Sequence, residues 1–267
     1  MGKIHFGRGF WGALVVLCAT AVALEWYCRT PLLEPIIKLD LEFNKNDNLL
    51  YTLVFHGSVD ADNPQFPRLV SALSKTGRDV HFIDWSPRSD TRLRAAASAE
   101  AVGRELADQL AARWFAVSSR GPWHLELVAH SSGAYVLDAL CQRLREQWAA
   151  HPQAGKLELR MVFVDPFQLR GFIDWRHGAR EHGRCADTAI AILNTDDPAP
   201  STNRPLERAW TLDVTDHPRR GAFSGNGHYW ALEFLIEEAE SAVWLQPQWS
   251  SRELRPGERH RPTEGLL

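Results

Sequence analysis

The tightest constraint on the fold of this chain is the stretch Ala129-His130-Ser131-Ser132-Gly133, which lies between an apolar run and a helix-like run. A strand that turns into a helix within so few residues leaves no room for large side chains, and small residues stand two before and two after Ser131. The turn strains the serine backbone and exposes its Oγ at a helix N-terminus, where backbone N–H groups favour developing negative charge. The pattern predicts a nucleophile elbow, although an ordinary helix N-cap can have the same sequence.

Strand-like and helix-like segments alternate along most of the chain. The predicted strands are 49–55, 80–83, 125–129, 157–164, 189–193 and 210–214, and the predicted helices are 69–75, 94–115, 134–150 and 230–243. This alternation predicts an α/β fold, a mostly parallel central sheet with helices on both faces. Ligands of such sheets bind at the carboxyl ends of the strands.

An additional strand is predicted before the first of these. Leu39, Leu41 and Phe43 alternate with Asp40 and Glu42, as in a half-buried strand. The polar residues 44–47 then read as a turn, so that 39–43 and 49–55 are predicted to form a hairpin.

The composition narrows the possible partners. The chain has 267 residues, of which 45% are hydrophobic and 24% charged, enough for one substantial core. Its formal net charge is -3 and it has no basic stripe, which argues against nucleic acid as a partner. Cys18 lies in an apolar run and Cys141 in a predicted helix core, whereas Cys28 and Cys185 are free to pair in an oxidising compartment. The spacing of Cys and His suggests no metal site, and no cofactor is predicted.

The N-terminal segment differs from the rest. Lys3 and Arg8 precede residues 9–24, which are uncharged and mostly apolar, and Ala21-Val22-Ala23 offers a small-x-small cleavage site. The segment is therefore predicted to be a signal peptide or a retained membrane anchor, so the protein is expected to be exported (periplasmic or secreted) or membrane-anchored. The predicted organisation is a signal or anchor at 1–24, a catalytic domain at 38–249 and a disordered tail at 250–267.

Candidate functional residues follow the predicted strands. They are His56-Gly57, Ser131, Asp165, Asp197 and His228, all at or after a carboxyl end. Their chain order is serine, acid, histidine, which is the order of the α/β-hydrolase triad. The sequence therefore predicts that these side chains meet at one edge of the sheet.

Several segments around this set resemble, in order, motifs of the α/β-hydrolase fold and, within it, of the lipases of the pancreatic and lipoprotein lipase type. They are Leu53-Val54-Phe55-His56-Gly57, Phe82-Ile83-Asp84-Trp85, Ala101-Val102-Gly103-Arg104-Glu105, the run from Arg160 to Asp165-Pro166, and Ile192-Leu193-Asn194-Thr195-Asp196. The resemblance covers about residues 49–199 and resumes at 228. It implies an α/β-hydrolase fold and a serine hydrolase.

The expected roles follow from the chemistry. Ser131 attacks an acyl carbonyl, and His228 is its base and later its acid. Asp165 fits the acid position of the pancreatic type and is preferred, whereas Asp197 fits the position that most α/β-hydrolases use. The backbone N–H groups of Ser58 and Ser132 are expected to form the oxyanion hole.

The activity expected from these roles is hydrolysis of carboxylic esters, with a small-molecule or lipid ester as substrate and membrane association through the N-terminus as an additional option. An acyltransferase or a thioesterase with the same triad is the alternative within enzymes, and an inactive binding protein on a hydrolase scaffold is the alternative outside them. Phe172 and Trp175 are expected either to line an acyl pocket or to pack against the body.

Overall fold

The central element of the computed structural model, which describes residues 8–43, 50–117, 122–240 and 256–260, is a parallel sheet. Seven strands of these residues run in the order β2-β1-β3-β4-β5-β6-β7: β1 Tyr51–Phe55, β2 Asp79–Ile83, β3 Trp123–His130, β4 Leu157–Val164, β5 Thr188–Leu193, β6 Trp210–Asp213 and β7 Arg259–His260. Each pair is parallel, with Leu53 opposite His81 on one side and Leu127 on the other. The predicted parallel sheet is confirmed.

Helices cover both faces of this sheet. The α-helices of the described residues are α1 Arg8–Arg29, α2 Gln65–Ser74, α3 Ser86–Ser89, α4 Ala95–Ala116, α5 Ala134–Ala149, α6 His177–Glu181 and α7 Trp230–Glu240, and the faces are covered by α2, α4, α5 and α7. One apolar core lies between the sheet and the α4–α5 pair, and a second lies between the sheet and the α2–α7 pair. The central strands carry apolar side chains on both faces because both faces are buried.

The two long helices approach most closely at Gly103 of α4. A Cβ at this position would lie 2.4 Å from the Val136 carbonyl oxygen and 2.9 Å from the Ala139 Cβ, both on α5. The glycine therefore sets the distance between the two helices.

Replacing Gly103 with alanine is expected to lower the free energy of unfolding by about 1–2 kcal/mol. Overpacking costs about 1–3 kcal/mol, and the clash with a backbone oxygen, which cannot rotate away, places this site at about 2–3 kcal/mol. Alanine regains roughly 1 kcal/mol over glycine in a helix interior, which leaves the net loss of about 1–2 kcal/mol. Denaturant unfolding of the full chain in detergent measures the change. Gly221→Ala is the control, because no atom lies within 4 Å of its added Cβ, and its change is expected within about 0.5 kcal/mol. An equal effect of the two substitutions would contradict this explanation.

The segment before β1 differs from its prediction. Leu39, Leu41 and Phe43 are buried alternately, as expected, but residues 30–43 contain no strand. Side chains of α4 take the place of a neighbouring strand: Gln109 bonds to the backbone of Ile37 and Leu39, and Arg113 donates to the carbonyls of Leu39 and Leu41. The predicted hairpin with β1 is therefore wrong, and the predicted turn at 44–47 lies outside the described residues.

Two other differences concern the C-terminal segment and the cysteines. Within the predicted disordered tail, β7 pairs with β6, while 250–255 and 261–267 lie outside the described residues. Cys141 forms a disulfide with Cys185, with 6.2 Å between the Cα atoms, and Cys28 is a buried free thiol. Cys141 was expected to be a simple core residue, and Cys28 the candidate partner of Cys185. The pairing follows from the packing of α5 beside the segment that enters β5.

The N-terminal helix α1 projects its apolar side chains into solvent. It continues unbroken through the predicted cleavage site to Arg29. The 21 residues Gly9–Arg29 are long and apolar enough to cross a membrane, a property that signal sequences share.

Candidate active site

The serine turn has the predicted geometry. Ser131 directly follows β3, and its φ of 52° lies in the left-handed region that non-glycine residues rarely adopt. A Cβ on Gly133 would lie 2.6 Å from the His56 carbonyl oxygen and 3.2 Å from the Ala129 Cβ. Small residues are therefore required where strand, turn and helix meet, and the strained serine has the backbone conformation of a nucleophile elbow.

The loop after β1 lies directly against this serine. A Cβ on Gly57 would lie 2.7 Å from the Ser131 Cβ, so only glycine allows this approach. The hydroxyls of Ser58 and Ser132 are 3.0 Å apart and hydrogen-bonded. The two residues predicted to form the oxyanion hole are thus neighbours beside Ser131.

His56 holds this loop in place, as the sequence suggests. Its Nε2 accepts the backbone N–H of Trp85 at 3.0 Å, and the Trp85 indole donates to the His56 carbonyl at 2.8 Å. Because Nε2 is an acceptor, the proton is on Nδ1, which donates to the Gly57 carbonyl at 2.7 Å. His56 is buried and serves the loop rather than the reaction.

The carboxylate that pairs with His228 is Asp197. Nδ1 of His228 lies 2.5 Å from the Asp197 Oδ2. The same carboxylate accepts the Thr202 hydroxyl at 2.9 Å and the Ala199 N–H at 2.7 Å. Burial raises the pKa of Asp197, but the hydrogen bond and charge of His228 and the other two donors lower it overall, so the group stays an anion.

Asp165, the preferred acid in the sequence analysis, occupies a different position. It is fully buried with a φ of 40°, and its Oδ1 accepts the Asn194 N–H at 2.6 Å. Burial raises the pKa of Asp165 well above its usual range; the Asn194 bond lowers it and the charge of Asp197 raises it. Burial thus favours the neutral carboxyl of Asp165, which is unsuited to stabilise an imidazolium. The geometry therefore favours Asp197 as the partner of His228 over Asp165, the acid preferred from the sequence.

Two contacts bring His228 to the serine turn. Its carbonyl oxygen lies 3.0 Å from Nε2 of His130, the residue before Ser131, and the two imidazole rings are 4.4 Å apart. The Asn194 amide donates to the neighbouring Gly227 carbonyl at 2.8 Å. The backbone that carries His228 is thus fixed from both β3 and β5.

His130 also contacts a buried acid that the sequence analysis did not identify. Its Nδ1 lies 2.9 Å from the Asp60 Oδ2. Nδ1 faces a carboxylate and Nε2 faces a carbonyl, so both ring nitrogens of His130 lie against hydrogen-bond acceptors. Burial raises the pKa of Asp60, but hydrogen bonds from His130 and His56 and the influence of His130 lower it to about 2. The sequence feature that points to Asp60 is its position four residues after His56.

The imidazole of His130 affects the pKa of its neighbour His228. Burial and then the His130 charge lower the pKa of His228 below its usual 6.5, against the hydrogen bond and charge of Asp197, which raise it. His228 is therefore neutral at neutral pH, as a general base must be.

The same group of side chains includes ligand types that metal ions use. Asp165, Asp197 and His228 each offer a ligand atom, all within 4.8 Å of one another. The His228 Nδ1 that would bind a cation instead hydrogen-bonds to Asp197, and the Asp165 carboxyl favours its neutral form. This donor set fits a hydrogen-bonded acid–imidazole pair better than a cation site.

Comparisons with known proteins assign the chain to no family. No family model matches the chain, and no curated protein matches it in sequence. One solved structure with a similar fold is a presumed hydrolase of the alpha/beta superfamily from Xanthomonas campestris. Its TM-score is 0.40 with 16% identity, over 72% of this chain and 98% of that chain. This likeness concerns the fold alone, and nothing in the comparisons supports the narrower resemblance to pancreatic and lipoprotein lipases.

The parallel sheet, the helices on both faces and the strained serine between β3 and α5 define the α/β-hydrolase fold.

Proposed function

We propose that this protein is a serine hydrolase of carboxylic esters whose triad is Ser131, His228 and Asp197. The observation that carries the proposal is the 2.5 Å contact between His228 and Asp197, on a loop attached to the elbow. A polarised imidazole beside a strained serine is the arrangement that activates a hydroxyl.

The reaction follows from these roles. With Nδ1 engaged by Asp197, Nε2 of His228 is the nitrogen that removes the Ser131 proton as Oγ attacks the acyl carbon. The backbone N–H groups of Ser58 and Ser132 stabilise the oxyanion, each donor contributing about 3 kcal/mol in comparable enzymes. His228 then protonates the leaving alkoxide, and water attacks the acyl-enzyme in the same way.

A fluorophosphonate probe tests the nucleophile directly. The probe phosphorylates an activated serine with loss of fluoride, and peptide mapping identifies the labelled residue. We expect label on Ser131 of the wild-type protein and none on the Ser131→Ala variant. A folded protein that stays unlabelled, or that carries the label on another serine, rules out the proposed nucleophile.

The neighbouring His130 gives a pH-dependent prediction. His130→Gln replaces this imidazole, whose positive charge lowers the pKa of His228, with a neutral amide that can still donate. Because that charge disfavours a second proton nearby, its loss raises the pKa of His228, and the acidic limb of the kcat/KM profile moves to higher pH. The measurement is hydrolysis of a soluble short ester from pH 4 to 9.

The control for this profile is His124→Gln, at the opposite end of the same strand, where His124 pairs with Glu158 near the surface. Its acidic limb is expected to coincide with that of the wild type. An unmoved limb in His130→Gln, or one that moves to lower pH, contradicts the influence of the His130 charge.

A further inference from the structure

The end of α1 is attached to the loops of the catalytic edge. The Glu25 carboxylate accepts the backbone N–H groups of Phe172 and Ile173. Thr30 and Pro31 follow the helix directly, and Arg94 donates to their carbonyl oxygens at 2.6 and 2.8 Å. The helix end therefore has a defined position beside two loops that follow β2 and β4.

Exposed apolar side chains gather on the loops at this same edge. We call this set the apolar rim: Val59 (57% exposed), Leu93 (56%), Phe172 (47%), Ile173 (68%) and Trp175 (52%). They follow the carboxyl ends of β1, β2 and β4, which meet at one edge because the sheet is parallel. Phe172 and Trp175 thus neither pack fully against the body nor sit in an enclosed pocket. Clustered exposed apolar groups indicate an interaction surface.

The rim is connected to the serine by a short length of chain. The N–H of Phe167 bonds to the Ser131 carbonyl at 3.0 Å. His182, itself buried against Asp138, holds the Phe167 carbonyl at 3.0 Å. From Phe167 to Phe172 is five residues, a span of at most about 18 Å. This short segment links the Ser131 backbone to the rim residues that Glu25 of α1 holds.

The length and apolar composition of α1 indicate what surrounds the rim. Residues 9–24 carry no charge and extend about 24 Å as a helix, most of a hydrocarbon core. Glu25 follows immediately, then Trp26, 70% exposed, and Tyr27. Aromatic residues at such a boundary occupy the headgroup layer. Glu25 holds the rim residues Phe172 and Ile173 next to these aromatic residues, at the same end of the helix.

We propose that α1 spans a phospholipid bilayer and that the apolar rim lies in the headgroup layer of that bilayer. On this basis, which rests on the proposed function, Ser131 acts on amphipathic esters that reach it from the membrane. The occupant of the rim is thus lipid, and not a second copy of the chain or another protein.

A spectroscopic experiment tests the rim without using activity. Full-length Ile173→Cys is labelled with an environment-sensitive fluorophore in a Cys18→Ser background and reconstituted in phosphatidylcholine vesicles. Cys28 is buried and Cys141 is bridged to Cys185, so the new thiol is the accessible one among the described residues. We expect a blue-shifted emission that nitroxide-labelled lipid quenches.

The matched control is Ile36→Cys. Ile36 is exposed like Ile173, with 57% of its surface accessible. The backbone N–H of its neighbour Ile37 donates to Glu105 on the third turn of α4, away from the rim. A fluorophore at position 36 is expected to show the emission of a water-exposed label and not to be quenched by nitroxide-labelled lipid. A water-exposed label at 173 overturns the proposal, and so does a blue shift that lipid does not quench, since protein then covers the rim.

A kinetic experiment separates the rim from the catalytic proposal. Phe172→Asp/Ile173→Asp is expected to lower the hydrolysis of an ester embedded in vesicles by about tenfold or more, since charges disfavour the apolar side of the interface. Hydrolysis of a soluble short ester should stay within about twofold, as should both activities of Ile36→Asp. If the double variant hydrolyses the vesicle-embedded ester as fast as the wild type, the proposed position of the rim in the headgroup layer is wrong. A wild-type protein inactive on both esters contradicts the proposed function instead, and the fluorescence result still decides the rim.

Discussion

Ser131→Ala is expected to lower kcat/KM for a soluble short ester by about 10⁴-fold or more. The substitution removes the atom that forms the acyl-enzyme and leaves the elbow with a small side chain, so the fold is retained. The measurement is steady-state hydrolysis, with circular dichroism and thermal unfolding to verify the fold.

Ser132→Ala is the matched control, one residue along the same turn. Its hydroxyl bonds to the Ser58 hydroxyl, whereas the proposed catalytic group of Ser132 is its backbone N–H, which alanine keeps. We expect a decrease of less than about tenfold, well below the 10²–10³-fold cost of losing an oxyanion donor. If Ser132→Ala abolishes turnover and Ser131→Ala does not, the two serines have been assigned the wrong way round.

The second large effect is expected for Asp197→Asn, a decrease of about 10³- to 10⁴-fold in kcat/KM. The carboxylate holds the proton of His228 on Nδ1 and stabilises the imidazolium that forms during the reaction. An asparagine keeps the shape but loses the charge and can donate to Nδ1, which favours the wrong tautomer. The same steady-state assay measures the loss.

Asp165→Asn distinguishes the two acids. Burial raises the pKa of Asp165 well above its usual range and favours the neutral carboxyl, so an amide of the same shape is a close substitute, and its oxygen can still accept the Asn194 N–H. Turnover is expected to fall by less than about tenfold, a small loss beside that of a triad residue. Loss of turnover in Asp165→Asn alone, with both variants folded, would restore the acid that the sequence favoured.

The sequence predicts the tight serine turn and the strands because these depend on local order. Small residues around Ser131 and the alternation of strands and helices are visible along the chain, and the position of His228 before a helix follows from the fold. The choice between Asp165 and Asp197 is different, since both follow neighbouring strands. It is decided by backbone direction: the left-handed Asp165 bonds to the Asn194 N–H, whereas the loop after β5 presents Asp197 to His228.

Other features were not predictable because their partners are distant in sequence. The alternation at 39–43 identifies the buried side chains, but not that Gln109 and Arg113 of a helix would satisfy the backbone. The segment around His182 is rich in charge and reads as a solvated loop, yet His182 is fully buried, with Asp138 and the Phe167 carbonyl as partners. Such contacts depend on tertiary packing, which the local pattern does not encode.

The covalent link between Cys141 and Cys185 has a consequence for how the protein is prepared. The disulfide closes a loop of 44 residues that contains β4, Asp165 and Phe172 of the apolar rim. Opening a ring of this size restores chain entropy worth about 4 kcal/mol to the unfolded ensemble at 25 °C. Material made in a reducing host, or purified in a thiol-containing buffer, is therefore expected to melt at a lower temperature than oxidised material of identical sequence.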